Sequence, residues 1–268
     1  MDWKTASRLF FGLTMIAIGV IGIVSGDFAP IWQPVPETTP ARQAIAYLCT
    51  FVSLACGAGL LLRRTAAPAA LALLAALVAW TVAFKGPFIV QAPFVEGTYQ
   101  SIGESVVLIS AMWVLYAETE DSHRLLASGS AVRIAYLLYG LALIAFGLSH
   151  FVYLELTSPL VPKWMHVPVF WSYLTGGIYL ATGLAIASGM AARWGSIIAA
   201  AQIALITLLV WGPIAFAGHL SAMLWQETIV SWALTAGAWV LASGSPPKTG
   251  WIHFPSRSGP SALSDSRR

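Results

Sequence analysis

Charge is what this sequence has least of. Only 9% of its 268 residues are Asp, Glu, Lys or Arg, where an ordinary soluble domain carries about 25%. So few charges cannot cover the surface of a soluble domain of this length. The shortage excludes a cytosolic enzyme, a disordered chain and a nucleic-acid binder with a basic face. Cysteine is also scarce. Cys49 and Cys56 are the only two, which excludes a disulfide-rich secreted scaffold. There is no phosphate-binding glycine loop, dinucleotide fingerprint or nucleophile elbow. HxxxH, CxxC and CxxCH spacings are missing too, so no metal set is assigned. A net charge of +3 is too small to specify a partner.

What the chain has is apolar length, with 58% hydrophobic residues. A bilayer core about 30 Å thick needs roughly 20 apolar residues per helix. Eight runs qualify: Leu9–Gly26, Gln43–Leu62, Ala66–Phe84, Tyr99–Ala117, Arg133–Leu154, Pro168–Ser188, Ala191–Phe216 and Met223–Ser243. None has a charge in its middle, where one costs roughly 2.5–3.5 kcal/mol on insertion scales. Backbone in lipid must pair within its own segment, so these runs are helices. Lys4 and Arg8 before the first run, with Ser25-Gly26 after it, imitate a signal peptide. Cleavage is not expected, because the segment has a counterpart inside the chain.

That counterpart belongs to an internal repeat. Gly12, Leu13, Ile16 and Gly19 match Gly140, Leu141, Ile144 and Gly147 at one offset, as do Pro34 and Pro40 with Pro162 and Pro168. After a two-residue shift, Tyr47, Leu48, Leu54 and Gly57 match Tyr173, Leu174, Leu180 and Gly183. Gly86-Pro87 matches Gly212-Pro213, Gln100 matches Gln226, and Trp113-Val114-Leu115 matches Trp239-Val240-Leu241. The expected fold is an all-α membrane protein of eight transmembrane helices, arranged as two parallel four-helix repeats. Residues 1–117 form the first repeat, 118–132 a polar cytoplasmic linker, and 133–243 the second. Residues 244–268, rich in Pro, Ser and Gly, form a disordered cytoplasmic tail.

Basic residues set the orientation. Lys4, Arg8, Arg63, Arg64, Arg124, Arg133, Arg193, Lys248, Arg257, Arg267 and Arg268 fall on one side, against Arg42, Lys85 and Lys163 on the other. Both termini are therefore expected in the cytoplasm. The outer side then receives Trp32, Gln33, Lys85, Glu96, His150, Glu155, Trp164, His166, His219, Gln226 and Glu227. Glu104 lies about two turns into the fourth span from that side.

Chemistry is expected in the outer half. Glu104 and Glu227 begin the fourth span of each repeat, and intramembrane carboxylates are functional candidates. They suit proton transfer, with Gln100 and Gln226 as hydrogen-bond partners; the plainer alternative is a carboxylate favoured by a helix N-terminus. His150, His166 and His219 suit ligation or, more simply, interfacial hydrogen bonding. Trp32, Trp164, Trp171, Trp211 and Trp225 suit an aromatic belt or walls for a flat ring. The Gly-Pro pairs are expected to end or break their helices. Cys49 and Cys56, seven apart on one helix, are about 10 Å apart along its axis and serve as small packing residues.

The second half, with RIAYLLYGLALIAFGLSHF, PLVPKWM, PVFWSYLTGGIYLATGLAI and LLVWGPIAF, resembles the DoxX-like family of four-helix membrane proteins. Its marks are a Gly-rich first span ending in His-Phe, a Pro/Trp loop and a Tyr-led second span. The likeness covers about 110 residues and reaches the first half only through the repeat. It implies a role near quinone or thiol redox chemistry at a bacterial or archaeal plasma membrane, and it points to His150, Trp164 and Tyr173. Family members often carry a Glu where this chain has Tyr179. The first half has Gly22 and Ser53 in place of His150 and Tyr179. The resulting expectation is a redox-associated subunit, embedded in the lipid bilayer beside a redox partner protein and binding a quinone-type lipid as cofactor. His150 would hydrogen-bond a carbonyl oxygen, Trp164 would wall the ring, and Glu104 or Glu227 would accept protons. His166, Tyr173, His219 and Gln226 would complete the pocket. The rivals are a permease or lipid-binding protein for a neutral or apolar substrate, and a purely structural assembly subunit.

Overall fold

The computed structural model describes residues 2–120, 125–218 and 221–246, and these are helical without strands. The α-helices are α1 (Trp3–Ser25), α2 (Arg42–Leu61), α3 (Arg63–Trp80), α4 (Gly86–Gln91), α5 (Glu96–Thr119), α6 (Gly129–Val152), α7 (Leu154–Thr157), α8 (Pro168–Ala187), α9 (Ala192–Ile206), α10 (Gly212–Phe216) and α11 (Ala222–Ser243). Their ends follow capping chemistry. The Asp2 carboxylate accepts from Thr5 N–H to start α1, and Gly26 closes it in the left-handed conformation at φ 62°. Ser128 and Ser221 cap α6 and α11 by accepting from Ala131 and Leu224 N–H.

Seven helical stretches are long and apolar enough to cross a membrane, with α3–α4 and α9–α10 each counted as one. The sequence led us to expect eight. The remaining helix, α11, has the length at 22 residues, but Gln226 and Glu227 dilute its apolar character. Another difference concerns the linker. α6 starts at Gly129, inside the stretch expected to be polar connection, because Ser128 supplies its cap. Residues 121–124, His219 and most of the tail lie outside the described residues.

The Gly-Pro pairs do not end their helices. A proline ring clashes with the carbonyl four residues back and offers no N–H. A π turn, Thr81–Lys85, relieves this before Pro87, with Gly86 N–H reaching back to Thr81 O. Thr207–Trp211 does the same before Pro213, with Gly212 N–H donating to Thr207 O. The helix Arg63–Gln91 therefore runs through its Gly-Pro pair over 29 residues.

Glycine sets the tightest crossings. A Cβ on Gly12 would stand 2.9 Å from Gly57 O, and one on Gly57 2.8 Å from Gly12 O, so α1 and α2 touch backbone to backbone. Gly140 and Gly183 repeat this between α6 and α8, at 2.7 Å each way. Other helix contacts recur in the same fashion. α2 packs on α3 and α8 on α9; α3 packs on α5 and α9 on α11; α5 packs on α6 and α11 on α1; α5 and α11 meet at the centre. Short 3-10 turns at Pro30–Trp32 and Ser158–Leu160 fall in the register that pairs Gly12 with Gly140. Cys49 and Cys56 are buried and unbridged among the α2 packing residues.

Outside the spans, Asp27 and Arg42 clamp the α1–α2 connection. Arg42 Nη1 donates to Asp27 Oδ1 at 2.6 Å and Nη2 to Oδ2 at 3.2 Å, with the guanidinium over the Phe28 ring. Donation from Arg42, assisted by Phe28 N–H, holds the Asp27 carboxyl below its ordinary 3.8. A depressed folded value means that the unfolded chain takes up the proton first. The clamp's contribution is then present above pH ~4 and is lost as pH falls through the folded value. The pair is partly exposed, so solvent screening is expected to keep the effect under about 1 kcal/mol. Thermal unfolding by circular dichroism between pH 6 and 3 checks it. Asp27→Asn should lose that component of the acid sensitivity.

Candidate functional site

A cavity of about 430 Å³ opens between α5, α6, α8, the second π turn and α11. Its polar wall comes from four helices. α5 contributes Gln100 and Glu104, α6 His150, α8 Ser172 and Tyr179, and α11 Glu227. The rest is largely apolar, including Leu156, Leu160, Ile206, Val210 and Trp211. This mixture of an apolar enclosure with a few convergent polar groups is what a small-molecule site requires.

The histidine's hydrogen bond fixes its role. Nδ1 lies 2.9 Å from Phe146 O, on the preceding turn of α6. A carbonyl only accepts, so Nδ1 carries the proton, and Nε2 of the neutral ring is left as an acceptor. Ser172 Oγ is buried on the cavity wall without a hydrogen-bond partner.

Glu104 connects the cavity to a buried lysine. Lys85 is only 3% exposed; its Nζ donates to Ser101 O at 2.7 Å and lies 3.8 Å from Glu104 Oε2. That separation exceeds a direct hydrogen bond. A space of about 10 Å³ borders both side chains, together with Ile31, Ser105 and Leu108, and is about the size of one water. Lys85 thus lies inside the helical stretch Arg63–Gln91, facing Glu104 on α5. Lys85 looked like part of an outer Gly-Pro loop. The signal against that was the apolar run Phe88-Ile89-Val90 directly after the pair, which continues the helix.

The structure thus brings Glu104, Glu227 and His150 to one cavity, with Gln100 beside them. It leaves other candidates elsewhere. Trp164 is 66% exposed in the loop before α8. His166 sits in that loop too, and its carbonyl accepts from Trp171 Nε1. Tyr173 is exposed and pairs with the Phe151 ring. Gln226 is exposed beside Glu227. Of the belt tryptophans, Trp211 is buried on the cavity wall, and Trp32 is in the core at 1% exposure. Trp32 Nε1 donates to Ser53 Oγ, and its carbonyl accepts from Trp80 Nε1, each at 3.0 Å. A tryptophan in an outer loop gives the same sequence signal whether it turns outward or inward. Among the described residues no cluster of His, Cys, Asp and Glu is arranged to hold a metal ion.

Compared with family models, curated proteins and solved structures, the chain matches none.

Proposed function

We propose that the chain is a plasma-membrane protein of two four-helix repeats, DoxX-like in its second half, that binds a quinone-type lipid in its outer cavity. α11 then serves as the eighth span, and both termini face the cytoplasm. The recurring helix contacts and glycine crossings support the two-repeat arrangement. The distribution of basic residues supports the orientation.

One observation carries the binding reading: Glu104, Glu227 and His150 converge on a largely apolar cavity. Oxidation of a quinol releases two protons and two electrons. Two carboxylates and one neutral imidazole are acceptors suited to the hydroxyls, and the electrons would pass to a redox partner protein. The test is organic extraction of the purified chain with chromatography for quinones. A bound quinone is expected in the extract, together with a quinol-dependent rise in Tm. Glu227→Gln and His150→Ala should each weaken quinol binding roughly tenfold, the value of a charge-assisted or buried hydrogen bond. An extract without quinone, combined with an unchanged Tm, overturns the reading.

The Lys85–Glu104 pair favours a second reading, a proton-coupled permease. Uptake into proteoliposomes that Glu104→Gln abolishes would decide for it.

A further inference from the structure

The two halves differ where the cavity lies. In the register pairing Pro34 with Pro162, Phe28 and Trp32 correspond to Leu156 and Leu160. In the register pairing the two Gly-Pro sequences, Trp80 and Phe84 correspond to Ile206 and Val210. The four aromatic residues form one cluster around Trp80. Trp80 lies 5.5 Å from Phe28, 5.4 Å from Trp32 at 83°, and 4.1 Å from Phe84, between ring centroids. Their four aliphatic counterparts all line the cavity. Each of these four rings is therefore replaced by a smaller side chain on the wall of the second half's cavity.

The polar partners correspond as well. The Trp32 indole donates its N–H to Ser53 Oγ, which in turn donates to Cys49 O at 2.9 Å. The counterparts of Ser53 and Cys49 are Tyr179 and Thr175, and both line the cavity. In the first half, then, a flat ring with a donor stands at the position that corresponds to Leu160 on the cavity wall, and a hydroxyl accepts from it.

We infer that the first half is a plugged copy of the ligand site, and that the second half's cavity takes a flat ring bearing an N–H or O–H donor, of the phenol, hydroquinone or indole type. The acceptors facing the cavity match such a ring: His150 Nε2 and the carboxylates of Glu104 and Glu227. Ser172 adds a buried hydroxyl that lacks a partner. This rests on the cavity being the ligand site of the proposed function, and narrows its ligand to the reduced, hydroxyl-bearing form.

The test is calorimetric titration of the full chain in detergent with phenol, indole and cyclohexanol. Phenol and indole are expected to bind at least tenfold more tightly than cyclohexanol, which has a donor on a puckered ring. Leu160→Trp installs the first half's plug without touching a polar group. It should lose phenol and indole binding at least tenfold while keeping its helical circular dichroism. Should Leu160→Trp fail to fold, Val210→Phe makes the same test from another wall. Equal binding of cyclohexanol, no binding of any of the three, or unchanged ring binding in the filled variant overturns the inference. Extracted quinone without a ring preference removes this inference alone. A ring preference without extracted quinone removes only the quinone reading.

Discussion

Lys85→Met alone is expected to destabilise the folded protein by roughly 3–5 kcal/mol, the usual effect of removing one partner from a buried ion pair. The Lys85 side chain is almost wholly enclosed; it donates to Ser101 O and stands 3.8 Å from the Glu104 carboxylate. Methionine fills a similar volume but donates nothing. Glu104 would be left on the cavity wall without its counter-charge, and Ser101 O would lose its donor. The double variant Lys85→Met/Glu104→Gln should recover much of the loss, because no charge then remains to be stabilised. Thermal unfolding of the wild type, both single variants and the double variant in one detergent gives the coupling directly. A Lys85→Met protein as stable as the wild type would show that the pair contributes nothing to the fold.

The second large effect is expected at the α6–α8 crossing. Gly140→Leu must place a side chain where even a Cβ would stand 2.7 Å from both Gly183 O and Ala187 N. Backbone atoms cannot swing aside as a flexible side chain can. The helices must separate, and the close packing that holds apolar helices together in lipid goes with them. A loss at or above the top of the usual overpacking range, roughly 1–3 kcal/mol, should follow. α8 provides the control. Gly177 has nothing within 4 Å of an added Cβ, so Gly177→Ala should be neutral or stabilise by up to about 1 kcal/mol through helix propensity. If Gly140→Leu and Gly177→Ala unfold at the same temperature, the crossing is not what holds the two helices.

These residues also mark what a sequence can and cannot convey. Gly140 and Gly183 were legible because close helix packing in lipid needs small residues, and the same pattern appears at Gly12 and Gly57. The helices themselves were legible from apolar length. Glu104, Glu227 and His150 stood out because polar groups are rare in such segments, though not which of the three shared a wall. Lys85 was not legible as an interior cation. A lysine before Gly-Pro reads as a loop unless the π turn that carries the helix past the proline is known. Trp32 and Trp164 give identical local signals, and only tertiary packing sends one inward and the other out. Ser172 and Tyr179 belong to the cavity because of where α8 runs, which no local pattern encodes.

The π turns have a consequence for the ancestry of the chain. Each adds one residue to the normal repeat of a helix, each begins at a threonine, and each directly precedes Gly-Pro in the same register. On the two-repeat reading, a single insertion that predates the duplication accounts for both. The ancestor would then have been half this length and would already have carried the widened turn. The contacts of α5 with α6 and of α1 with α11 would descend from a single seam between two identical subunits. On the same reading, joining them in one chain would have freed the copies to diverge, and the four aromatic rings of one and the four aliphatic residues of the other would be the record of that divergence.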